Sequence, residues 1–155
     1  MAPHVTLGGV VAILDQALAL WQDPVPDGEA ALDRFRSVYA DPLVVNGAGS
    51  TVADLVDRAR AMQRGFTDVS HVVHDIVEGD GFVSFAFEIR GRHVGPWPSA
   101  LGVLKPSGQQ FTLPGIDIFR FDEAGRVAQI WATNDQSELI AAALKSTPDP
   151  ASVQS

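Results

Sequence analysis

Apolar residues recur with two different periods along this chain, and the switch between them divides it into two regions. Leu7, Val11, Leu14, Leu18 and Trp21 are spaced by four, three, four and three, which predicts an amphipathic helix ended by Pro24 and Pro26. Ala31, Phe35 and Val38 predict a second, shorter helix that stops before Pro42. Residues 43–46 then read as a short strand, closed by Gly47 and Gly49. Ser50-Thr51 offers a cap to a third helix, with Asp54 placed for the reciprocal bond. Val52, Leu55, Val56, Ala59 and Met62 share its inward face, and Gly65 ends it.

Beyond Gly65 the period becomes two. A strand over 69–77 is followed by the turn Glu78-Gly79-Asp80-Gly81 and a long strand over 82–94. In the latter, Val83, Phe85, Phe87 and Ile89 alternate with Ser84, Ala86, Glu88 and Arg90. Pro96 and Pro98 break it, a third strand runs over 99–104, and Pro106-Ser107-Gly108 turns the chain again. Residues 111–121 form the next strand, where Pro114-Gly115 predicts a bulge because neither residue suits a ladder interior. The last strand spans 127–133, a short helix 137–144, and residues 147–155 are expected to be a disordered tail. Helices followed by consecutive strands imply one α+β domain over 1–146. Three N-terminal helices pack on the concave face of a cone-shaped, curved antiparallel sheet, and the short C-terminal helix follows. Three helices cannot fill such a face, so a concave pocket is expected.

Composition narrows the partners. Nineteen acidic residues against eleven basic ones leave a net charge of −8 in 155 residues, which repels nucleic acid and anionic lipid. A neutral, hydrophobic small molecule suits the chain better. No run of apolar residues is long enough for a membrane span, and no secretion signal is read at the start. The lack of cysteine excludes disulfides and thiolate metal sites and accords with a cytoplasmic protein.

The candidate chemistry lies on the strands. Asp117 alternates with Phe119 and Phe121; on the concave face, desolvation would raise its pKa and make it a general acid or base. The alternative is a structural carboxylate held by an arginine or a backbone N–H. His93 shares the parity of Phe85, Phe87 and Ile89, so it is read either as a proton-transfer group approaching Asp117 or as a satisfied core histidine. Asp135 is a third catalytic candidate at the pocket mouth, although Asp135-Gln136-Ser137-Glu138 also fits a helix-capping box. Asn46 is either a pocket residue or a turn former before Gly47. Trp97, fixed between prolines, is a rim residue or a subunit contact. His71 and His74 point to opposite faces of one strand and cannot share an ion, so no metal or other cofactor is expected. Trp131 faces away from Ala132.

The order of elements resembles the SnoaL-like polyketide cyclases, within the fold class of nuclear transport factor 2 and ketosteroid isomerase. The resemblance covers about 31–144. It rests on Gly91-Arg92-His93-Val94-Gly95, on Ile116-Asp117-Ile118-Phe119-Arg120, on the turn 122–125 with Arg126-Val127, and on Trp131 followed by Asp135. The family implies cofactor-free ring closure, isomerisation or epoxide opening on polyketide-like molecules, and homodimers formed through the outer sheet face. It also implies an acid–base aspartate on the last strand, where this chain has Ala132. Epoxide hydrolases of the class need an aspartate at the same place. The family's histidine on the preceding strand falls on Asp117, and its last-strand histidine on Ile130.

The expected function is therefore cofactor-independent acid–base catalysis on a hydrophobic molecule. Asp117, His93 and Asp135 are its candidate catalytic groups; Asn46, Met62, Phe87, Trp97, Phe119 and Ala132 are its candidate substrate contacts. The alternatives are a non-catalytic ligand-binding or accessory protein, and an epoxide-opening enzyme with rearranged carboxylates.

Overall fold

A computed structural model describes residues 7–146; the predicted disordered tail, 147–155, lies outside them. The chain runs α1 (Leu7–Gln22), α2 (Glu29–Arg36), β1 (Tyr39–Val45), β2 (Ala48–Ser50), α3 (Val52–Gly65), β3 (Phe66–Gly79), β4 (Phe82–His93), β5 (Trp97–Ser99), β6 (Gly102–Leu104), β7 (Gln110–Phe121), β8 (Val127–Asn134) and α4 (Ser137–Ser146). Six strands form one curved sheet in the order β2-β1-β8-β7-β4-β3, and β5 and β6 pair with each other. Helices α1, α2 and α3 lie against the inner face, where Val10, Leu14, Phe35, Leu55, Val83 and Phe119 are buried in one apolar cluster.

The third helix starts as its sequence predicts. The Thr51 hydroxyl accepts the Asp54 N–H at 3.2 Å while the Asp54 carboxylate accepts the Thr51 N–H at 3.0 Å. Two donors that the helix itself leaves unpaired are thereby satisfied. From α3, Gln63 reaches back to the prolines after α1. Its amide donates to the Asp23 carbonyl at 2.7 Å, its oxygen accepts the Val25 N–H at 3.1 Å, and Arg60 donates to the Pro26 carbonyl at 2.9 Å. These bonds fix the C-terminal end of α1 beside the sheet.

The sheet departs from expectation in four places. It is not wholly antiparallel, because β1 runs parallel to β8; that pairing joins strands from opposite ends of the chain and leaves no local signal. The first strand begins at Tyr39 and passes through Pro42, with its β8 ladder interrupted between Tyr39 and Val44. The strand expected over 99–104 is a small separate hairpin, β5–β6, which turns at Ala100-Leu101, with Gly102 at φ 98° opening β6. Pro114-Gly115 makes no bulge, since Glu88↔Pro114 and Phe87↔Gly115 pair in continuous register. The Phe87 ring lies over Gly115 so closely that no Cβ would fit, and the missing side chain is replaced by an aromatic cover. The register shifts of the long hairpin fall in β3 instead, near Asp68 at φ 55° and between Val73 and Asp75.

Candidate functional site

Between α1, α3 and the inner face of the sheet lies a cavity of about 220 Å³. Its walls are largely apolar, with Leu18, Met62, Phe85, Phe87, Phe119 and Ala132 among them. Four of the predicted substrate contacts, Met62, Phe87, Phe119 and Ala132, therefore face this one space.

Asp117 opens into the same cavity. Strand parity puts it there: Phe85 is opposite on β4 and Ala132 opposite on β8. Directly opposed residues on one face have Cβ atoms about 5 Å apart. The Asp117 carboxylate thus stands one strand away from position 132. No hydrogen bond or ion pair reaches it from the described residues, and burial pushes its pKa up from 3.8 to about 7.

Tyr39 and His71, neither of them among the predicted site residues, also line the cavity, as do Arg58 and Asn134. Tyr39, fully buried, accepts a hydrogen bond from Trp21 Nε1 at 2.9 Å. Burial, and to a lesser extent the charge of Asp117, raise its pKa, against the smaller opposing effect of Trp21. The phenol stays protonated, and with its oxygen accepting from Trp21 its own O–H is left to donate. His71 on β3 lines the opposite side; burial drives its pKa down from 6.5 to about 4, so it is neutral at physiological pH. Arg58, exposed on α3, stands at the rim. Tyr39 falls in a segment whose apolar spacing predicts a helix end, although it opens β1. In the sequence His71 stands out only as one of a histidine pair with His74, which lies on the other face of the sheet, 3.4 Å from Glu88.

The other predicted site residues are elsewhere. His93 keeps the inward parity of β4 but sits at its far end. From position 85, which faces Asp117, to position 93 is roughly 26 Å of extended strand. The expected approach of His93 to Asp117 therefore does not occur. His93 is fully buried with its ring 5.5 Å from that of Phe66, and neither nitrogen has a hydrogen-bond partner among the described residues. Burial holds its pKa below the usual histidine value, with a weaker opposite pull from the Gly95 backbone. Its motif is structural: the Val94 and Gly95 N–H groups both donate to the Gly65 carbonyl, at 2.8 and 3.0 Å. A Cβ on Gly95 would collide with the Arg64 carbonyl.

Trp97 packs on Phe66 at 4.7 Å, in a second apolar cluster with Phe111, Leu113 and Leu139, and does not line the cavity. Asp135 accepts hydrogen bonds from the backbone N–H and hydroxyl of Ser137, which lower its pKa. Its own N–H goes to the Pro114 carbonyl, so Glu138 does not complete the expected box. Asp135 borders a groove on the opposite side of the sheet, lined by His74, Glu88 and Ile116. Asn46, at φ 50°, uses its side-chain oxygen to accept the Ala132 N–H at 2.8 Å, so it extends the β1–β8 pairing rather than lining the cavity.

Comparison with known proteins agrees with this architecture. TsrD from Streptomyces laurentii superposes with a TM-score of 0.74 at 20% identity, covering 90% of this chain and 98% of that one. A SnoaL-like polyketide cyclase from Agrobacterium tumefaciens gives 0.67 at 14% identity, over 88% and 96% of the two chains. An NTF2-like protein from Exiguobacterium gives 0.58 at 21%, over 81% and 99%. No curated protein sequence matches the chain significantly. The profile of the SnoaL-like polyketide cyclases matches residues 16–143, and the chain belongs to that family.

Proposed function

We propose that the protein is a cofactor-independent acid–base enzyme of the cyclase type, with Asp117 as its proton carrier and a hydrophobic polyketide-like molecule as its substrate. The observation that carries this reading is the unpaired Asp117 carboxylate in an apolar cavity, with its pKa raised to about 7. A base titrating there is ionised in about half the molecules at neutral pH and can both take and return a proton. In an aldol closure the carboxylate removes a proton from a carbon flanked by carbonyls. The enolate carbon then bonds to a second carbonyl carbon, and the resulting alkoxide takes the proton back. The Tyr39 O–H serves the enolate oxygen as a hydrogen-bond donor, and Phe85, Phe87 and Phe119 hold the apolar body.

Ala132, where the family resemblance implies an aspartate, favours a second reading: a ligand-binding protein that performs no chemistry. Epoxide opening by a rearranged carboxylate set has less support, since Asp117 is the single carboxylate among the described residues lining the cavity. The deciding experiment compares wild type and Asp117→Asn on polycyclic β-keto substrates, with products separated by chromatography. The enzyme reading expects turnover with an ionisation near pH 7 that disappears in the variant. Tight binding without conversion by the wild type would establish the second reading.

A further inference from the structure

We propose that His71 is the acceptor for a hydroxyl on the bound molecule, held in the required tautomer by Gln22; this rests on the cavity being the substrate site. Gln22, the last residue of α1, receives two N–H groups on one side-chain atom. The His71 backbone N–H donates to it at 2.6 Å and the ring Nδ1 lies 2.8 Å away. A backbone N–H can only donate, so the atom it meets is the amide oxygen. An amide oxygen can only accept, so Nδ1 carries the ring proton and Nε2 carries the lone pair. The tautomer follows from hydrogen-bond logic alone.

The Nε2 atom is then free for a ligand. It has no partner among the described residues, yet it is not sealed off as both nitrogens of His93 are. Gln22 is itself held, because the segment following it is bonded to Gln63 and Arg60 of α3. The other ionisable groups around the cavity are Asp117 on β7, Tyr39 on β1 and Arg58 on α3. Tyr39 and Arg58 offer donors, whereas His71 offers a fixed, uncharged acceptor. A carbonyl or ether oxygen placed against Nε2 sets lone pair against lone pair; a phenol or enol O–H satisfies it. The aromatic walls formed by Trp21, Phe85, Phe87 and Phe119 suit a flat ring bearing that hydroxyl. The substrate class is thereby narrowed to hydroxylated, fused-ring molecules, and Gln22 becomes a positioning residue.

The test uses the full chain labelled with ¹⁵N-histidine, with His71→Asn to assign the resonances. Two-bond proton–nitrogen spectra of the free protein should show a protonated Nδ1 and an unprotonated Nε2 on His71, and Gln22→Leu should mix the tautomers. Titration with 2-naphthol should move the Nε2 resonance, whereas 2-methoxynaphthalene should bind about tenfold more weakly, the loss of one hydrogen bond, and leave Nε2 unmoved. A proton on Nε2, an unaltered tautomer in Gln22→Leu, or equal affinity for the two probes would overturn the proposal while leaving the cavity reading intact. If neither probe perturbs the methyl resonance of Ala132 or the rings of Phe87 and Phe119, the cavity reading fails and the His71 proposal falls with it.

Discussion

His71, half-buried, and His93, fully buried, lie on adjacent strands, and desolvation lowers the pKa of each. Their surroundings differ in what the ring can do. His71 has one nitrogen bonded to Gln22 and its other nitrogen free beside a cavity. His93 is wedged against Phe66, with no hydrogen-bond partner for either nitrogen among the described residues, and does not line that cavity. Desolvation alone therefore does not mark a site. What distinguishes a chemical group here is a void next to it and an orientation imposed by a neighbour, and Asp117 shares the void.

The sharpest way to break this contrast is by turnover. Asp117→Asn should lower it by about 10²- to 10⁴-fold, the usual worth of a positioned general base, whereas His93→Leu should leave it nearly unchanged. Equal losses in the two variants would erase the distinction between the regions.

A second contrast lies in the pH dependence of stability. The folded carboxyl of Asp117 holds its proton up to about pH 7, whereas the unfolded one releases it near 3.8. Between those values the folded state binds more protons, so stability is lost as pH rises through that window. Urea unfolding should find Asp117→Asn more stable than wild type by about 2–4 kcal/mol at pH 8 and little different at pH 3.5. His71 acts in the reverse sense, since its folded pKa of about 4 lies below the unfolded 6.5 and stability is lost as pH falls through that range.

Smaller effects probe the packed region. Gly95→Ala forces a Cβ into the Arg64 carbonyl and should cost about 2–3 kcal/mol in urea unfolding, with turnover per folded molecule retained. His93→Leu keeps a similar volume and removes two unpaired nitrogens, so it should change stability by no more than about 1 kcal/mol, in the stabilising direction. A loss of several kcal/mol would mean that the imidazole has a partner.

What the sequence revealed follows from the range of the interactions involved. Helix faces, the Thr51–Asp54 cap and the inward parity of Asp117 are local properties, and period and spacing carry them. The partners of Tyr39 and His71 are Trp21 and Gln22, eighteen and forty-nine residues away, and no local pattern announces such pairs. Parity placed His93 on the correct face but could not say how far along the strand the cavity ends. The aromatic cover over Gly115 likewise depends on Phe87, from the neighbouring strand, and turned an expected bulge into regular ladder.

On the proposed reading, the pairing of Asp117 with Ala132 bears on which product forms. Moving a carboxylate from one strand to the next shifts it by about 4.8 Å, roughly two ring widths along a linearly fused skeleton. For two catalysts gripping the same skeleton in the same pose, that offset selects a different carbon for deprotonation and so a different bond to close. Swapping this chain for a relative bearing the last-strand aspartate would then alter the regiochemistry of the product as well as the yield.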